Sequence, residues 1–277
     1  MEITSLHKTQ DLGLSLTLPF RSKAPSPKSD ALSDVHIRFS ELVNYVGEVL
    51  LTSHLVKELS QPPDREAISI TLKSKRNESI VAPTIELQSG EWEKLSRNLS
   101  QRLLFSSVVH LATSYEIFQA ELIEDVLWRN DEWLGLEERQ LTTKEIFKLG
   151  SLEEIRLKLI ERKVLDFAML SYPKKVEKFQ REFHVGLHHQ TLPLSLFEVH
   201  DFLEVRNVIV HSDGYASEQY LERMSIYNQP TLLKGKYDTL EINFSWLLTF
   251  GQQLISLCER IDEEVGKKWR TTRNSAT

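Results

Sequence analysis

A chain of 277 residues with 34 Lys and Arg against 40 Asp and Glu carries a formal net charge of -6, which argues against a uniformly basic nucleic-acid coat while leaving room for local basic patches. That length can bury a sizeable core in one large or two small domains. The lone Cys258 rules out an intrachain disulfide and a cysteine-based zinc site. With no apolar run of membrane-spanning length and no apolar signal-peptide core, the expectation is a cytoplasmic protein.

The alternation of Leu12, Leu14, Leu16 and Leu18 predicts a half-buried strand closed by Pro19, and Arg21 to Asp30, with Pro25 and Pro27, reads as a linker or a mobile loop. Asp34 predicts the cap of a helix running to about Leu59, with Val35, Phe39, Leu42, Val46, Val49 and Leu50 on its apolar face, and Pro62-Pro63 stopping it. From Ala67, Ile68, Ile70 and Leu72 alternate with Ser and Thr. A polar turn at Lys75 to Glu78 and a return over Ile80 to Leu87 complete a predicted hairpin. Residues 1–91 are therefore expected to form a small α+β unit, serving for dimerisation, for partner docking or as a shield over the helical domain. His36 and His54 stand alone in it and suggest no ligand set.

From Lys94 to about Arg129 the pattern is one long helix. Val108, Leu111, Tyr115, Phe118, Leu122 and Val126 form one apolar stripe; Val109, Ala112, Glu116, Ala120, Ile123 and Leu127 form a second, which Glu116 interrupts. An ionised group in such a place needs a partner, and Arg206 lies in a comparably apolar helix, so the two are expected to meet; otherwise Glu116 reaches water at the stripe's edge. Thr142 to Glu145 and Ser151 to Glu154 are capping-box sequences on either side of Gly150. Lys174, Lys175 and Lys178 belong to a basic middle region that offers a surface for phosphates, unless neighbouring glutamates pair with it. His184 and His188 invite a metal reading, but Gly186 breaks the helix and no carboxylate stands where a zinc peptidase needs one, so a polar connector is expected and no metal. Asp238 to Glu241 predicts the cap of a last helix with Ile242, Trp246, Leu247, Phe250, Leu254, Leu257 and Ile261 on its core face, where Cys258 reads as a small core residue. Lys267, Lys268 and Arg270 in the tail could touch RNA, or simply be solvated at a frayed end.

The richest chemistry lies in Glu204-Val-Arg-Asn-Val-Ile-Val-His-Ser-Asp-Gly214, in the helix predicted for Leu194 to His211. At 100° per residue, Arg206 and His211 stand roughly 140° apart around its axis, and Asp213 and Gly214 suit its ending. His211 supplies an imidazole, the side chain suited to acid/base work; Arg206 offers a permanently charged fork for phosphate oxygens; Asn207 could orient the histidine or contact the phosphate.

This stretch resembles the Arg-x4-6-His motif of the HEPN superfamily in its form with Asn after the Arg, matched here singly by Arg206, Asn207 and His211. The Asp213-Gly214 and Tyr220-Leu221 pairs and the Gly150 to Glu154 helix start agree with the same pattern, and the resemblance covers roughly Trp92 to Lys268. It implies a mainly α fold in which residues 92–277 form a helical bundle, with Glu116, Asp213 and Tyr220 in supporting roles. It further implies a cofactor-free, metal-independent endoribonuclease acting on RNA at a homodimer cleft, in a bacterial toxin or antiphage setting with a possible regulatory or antitoxin partner. The alternatives are a non-catalytic HEPN binding or scaffold module and a partner-regulated sensor.

Overall fold

The computed structural model describes residues 30–59, 67–71, 84–130, 141–185 and 192–270, with backbone alone for residue 30, for those within 48–97 and for residue 270. The described chain is mainly helical and divides into two compact units. One holds the described residues within Asn44–Leu103, the other those within Pro25–Val43 and Leu104–Thr277. The expected division after residue 91 instead falls inside two helices, α1 (Asp30–Leu59) and α2 (Ser89–Arg129), each of which contributes residues to both units.

In the first unit β1 (Ala67–Thr71) pairs antiparallel with β2 (Thr84–Gln88), in a register from Ala67 opposite Gln88 to Thr71 opposite Thr84. These are the two arms of the expected hairpin. The expected strand at Leu12 to Leu18 and the turn at Lys75 to Glu78 lie outside the described residues. Asp34 does not cap α1: the helix starts four residues earlier, and the Asp34 carboxylate instead reaches Arg38 one turn on, at 3.9 Å.

The second unit is a helical bundle made of the start of α1, most of α2, and α3 (Thr143–Lys148), α4 (Leu152–Ala168), α5 (Tyr172–Phe183), α6 (Leu196–Ser212), α7 (Glu218–Ser225) and α8 (Phe244–Val265). Thr142 and Glu145 form the predicted reciprocal capping box. Ser151 accepts from the Glu154 amide, whereas the Glu154 carboxylate takes the N–H of Gly150 rather than that of Ser151. The basic stretch at 172–183 is itself a helix, with Pro173 in its first turn and Tyr172, Val176, Phe179 and Phe183 buried at helical spacing. It ends at His184, in the left-handed region at φ 52°; His188 lies outside the described residues.

All six residues of the first predicted α2 stripe are buried. Ring contacts show what they and their neighbours pack against: Tyr115 of α2 meets Tyr172 of α5, Phe167 of α4 meets Phe179 of α5, and Phe202 of α6 stacks on Phe250 of α8 with centroids 4.4 Å apart. Gly251 of α8 is required where Phe39 of α1 crosses, since a Cβ there would stand 2.1 Å from the ring. Helix α6 is buried almost all round from Phe197 to Val205, which explains why it reads as broadly apolar instead of one-sided. A Ser195/Glu198 capping box begins it.

The cap predicted at Asp238 is corrected. Asn243 caps α8, accepting from the Trp246 amide at 2.8 Å, while the Asp238 carboxylate accepts the N–H groups of Lys234 and Gly235 and closes a turn. Ile242 is buried but precedes the helix. Past α8 the chain makes one π-helical turn, Gly266–Arg270.

Candidate active site

Arg206 projects from α6 toward α2. Its Nη2 donates to Glu116 Oε1 at 2.6 Å, with the two side chains 24% and 32% exposed, so the pair is partly and not fully buried. Ala112 is buried one turn before Glu116. Arg206 Nε is buried without a hydrogen-bond partner among the described residues. Lys175 of α5 is only 5% exposed and its ammonium sits 5.8 Å from the centre of the Phe167 ring. Burial lowers its pKa, the Glu116 carboxylate opposes that, and the Arg206 charge adds to it. Lys175 therefore belongs to the interior beside the Glu116–Arg206 pair, and its expected place on an RNA-facing surface is corrected: the apolar stem of α5 that packs Val176 and Phe179 inward takes Lys175 with it.

The Asn207 side chain is one of three groups gathered at the Glu204 carboxylate, with Arg223 and His200. Arg223 of α7 donates through Nη1 to both Glu204 oxygens, at 3.1 and 2.8 Å, and His200 Nε2 lies 3.7 Å away. His200 Nδ1 is 2.8 Å from the Tyr227 hydroxyl. Burial pushes the Glu204 carboxyl up, but His200, Arg223 and Asn207 overcome it and bring the pKa down to about 2. Neither Arg223 nor His200 was singled out from the sequence; the available signal was the spacing of His200 and Glu204 on one helical face.

Tyr220 is buried and its hydroxyl donates to Asp201 Oδ1 at 2.5 Å, while Asp201 Oδ2 accepts the N–H of Leu232 at 3.0 Å. Burial raises the Asp201 pKa against both donors. Tyr220 thus supports α6 and the 231–233 segment from within.

His211 is exposed on the last turn of α6 and has no hydrogen-bond or ion-pair partner among the described residues. Asp213 ends the helix at φ 50° and Gly214 follows at φ 84°. Gly214 carries a second demand, since a Cβ on it would stand 2.6 Å from the Phe105 ring of α2. The chain beyond is clamped by residues 237–240: Tyr215 bridges Thr239, Ala216 N–H donates to Asp238, and Leu240 N–H donates to Gly214. The site therefore combines an inward arginine held by a carboxylate, an amide committed to Glu204, and an outward histidine on a braced turn.

The other expected RNA contacts differ among themselves. Lys174 and Lys268 are exposed, Lys178 lies 3.8 Å from Glu182, and Lys267 lies 3.2 Å from Glu263. The backbone of Arg270 closes the π-helical turn. Trp269 beside it is tied down, its indole N–H donating to the Phe183 carbonyl at 3.0 Å. Cys258 is fully buried, and burial holds its thiol well above the usual range. Among the described residues no three His, Cys, Asp or Glu side chains are grouped as a metal ion would need, and no helix is long and apolar enough to cross a membrane.

Compared with known proteins, the chain matches no family model, no curated protein and no solved structure.

Proposed function

We propose that this chain is a metal-independent endoribonuclease of HEPN type, working as a homodimer in a toxin or antiphage role. The observation that carries the reading is the fixing of Arg206 by Glu116 at 2.6 Å, with His211 exposed five residues further along the same helix. A pre-oriented guanidinium can stabilise charge as it develops on a phosphoryl group without reorganising at the moment of reaction. In the proposed reaction one imidazole removes the proton of a ribose 2′-hydroxyl, the 2′-oxygen attacks phosphorus, and the 5′-oxygen leaves with a proton from a second imidazole. The products are a 2′,3′-cyclic phosphate and a 5′-hydroxyl. One histidine per chain cannot readily serve both ends of that step, so a second copy across a shared cleft supplies the other.

A competing reading is a binding or scaffold module of the same family. It is favoured by the commitment of Arg206 Nη2 to Glu116 and of Asn207 to Glu204, both of which brace α6 without any substrate. Incubating wild-type and His211→Ala protein with total RNA in EDTA, then mapping fragment ends, separates the two. Cyclic phosphate ends from the wild type alone support the nuclease. Intact RNA in both, or cleavage in both, rejects it.

A further inference from the structure

We propose that Tyr215 and Tyr237 form a stacking platform for unpaired nucleobases next to His211, so that the site takes single-stranded RNA; the proposal rests on the nuclease reading and names its substrate class. Tyr215 stands immediately past the catalytic turn, with its N–H donating to the Ser212 carbonyl at 2.9 Å. It is 48% exposed, and Tyr237 is 71% exposed. The bridge of Tyr215 to Thr239, with the bond from Tyr237 N–H to the Ala216 carbonyl at 3.1 Å, holds the two tyrosine-bearing segments side by side. Ala216 and Leu240 of the same segments are buried, which leaves the tyrosines on the outer side.

Tyr237 sits at φ 68°, a conformation that a bulky aromatic residue adopts at a cost and that persists only where the surroundings enforce it. Folding alone gives no reason for a tyrosine there, because asparagine or glycine would meet the backbone demand with less strain and the ring is largely in water. The Lys236 ammonium lies 5.1 Å from the centre of that ring and is itself paired with Glu218. The ring thus carries a cation over one face while the residue stays 71% exposed, which leaves room for a base to stack on it. Lys234 is exposed on the same segment. The chain neighbours of the two tyrosines, Ser212, Asp213, Lys236, Asp238 and Thr239, are polar, unlike the apolar centre of a protein interface. A duplex keeps its bases stacked inside and offers such rings nothing.

The test uses the full chain carrying His211→Ala, so that RNA stays intact, and reads anisotropy of fluorescein-labelled oligouridylate, oligoadenylate and their duplex. Adding Tyr215→Ser or Tyr237→Asn should raise Kd for the single strands about ten-fold, as expected for losing one stacked base. The Phe variants should stay within about two-fold, since they keep the ring. Tyr237→Asn suits the left-handed backbone, so an unchanged or higher melting temperature separates lost binding from misfolding. Single-strand Kd values that ignore both rings, equal losses for duplex and single strand, or no binding of any strand would each overturn the proposal. So would a shift from dimer to monomer in sedimentation with single-strand affinity unchanged, which would assign the rings to a second copy of the chain. With His211 restored, ring-dependent binding without cleavage would reject the nuclease and leave the platform standing; cleavage indifferent to Tyr237→Asn would do the reverse.

Discussion

Glu116 and Arg206, 90 residues apart in the chain, meet at 2.6 Å between α2 and α6. At 24% and 32% exposure the pair falls between an exposed ion pair, at ~0–1 kcal/mol, and a buried one, whose breaking costs ~3–5 kcal/mol. Glu116→Gln is therefore expected to cost about 1–3 kcal/mol and to lower RNA cleavage as well, because Arg206 loses its anchor. His211→Ala should remove cleavage and leave the melting temperature unchanged, as an exposed side chain without a partner among the described residues predicts. Melting curves and cleavage rates of both variants check this. A Glu116→Gln protein as stable and active as wild type would show that the contact does nothing.

Glu204 gives a pH signature. Its carboxyl falls from an ordinary 4.5 to about 2 in the folded chain, so the stabilisation it supplies is present above the unfolded value and is lost as pH drops through the folded one. The contribution should fade between about pH 4.5 and pH 2, and Glu204→Gln should flatten the stability profile in that window. Arg223→Ala should flatten it in part, leaving the share supplied by His200 and Asn207. Denaturant unfolding across this pH range measures both; a wild-type profile in Glu204→Gln would mean that other carboxylates carry the acid sensitivity.

Much of the bundle was legible because local chemistry agrees with the tertiary outcome. Thr142 with Glu145 caps a helix by residue type alone, and the Val108 to Val126 stripe is buried as its spacing requires. The Glu116 contact was legible because a carboxylate and a guanidinium each sat in an otherwise apolar helix. Asp238 misled for a physical reason: its sequence suits a cap, but Leu240 N–H is drawn to the Gly214 carbonyl, and that long-range bond postpones the helix to Asn243. The Glu204–Arg223 pair and the interior Lys175 were hidden, since in one dimension each is only a charged residue at a helical position and the partners lie on other helices.

The proposed pairing of two histidines makes activity a property of the dimer. Cleavage rate per chain should fall on dilution, with a midpoint matching the dissociation of dimer to monomer seen by sedimentation at the same protein concentrations. A constant rate per chain below that midpoint would assign the whole reaction to one copy and require a second acid or base close to His211.

Gly214 ties the turn that carries His211 to α2, and its replacement tests that tie. Gly214→Ala places a Cβ 2.6 Å from the Phe105 ring and fixes an L side chain at φ 84°. The left-handed backbone costs about 1–2 kcal/mol, and forcing the ring aside adds about 1–3 kcal/mol. At ~2–4 °C per kcal/mol for a domain of this size the melting temperature should fall by several degrees. The two costs separate in a double-mutant cycle: in a Phe105→Leu background the alanine meets less bulk, so only the backbone share should remain. Because Gly214 also donates its N–H to the Val208 carbonyl and accepts from Leu240, the strain is transmitted to the turn that carries His211, and cleavage should drop in the single mutant even at temperatures where it is fully folded. An equal cost for Gly214→Ala in both backgrounds would show that the Phe105 ring yields freely and that the backbone conformation alone demands glycine.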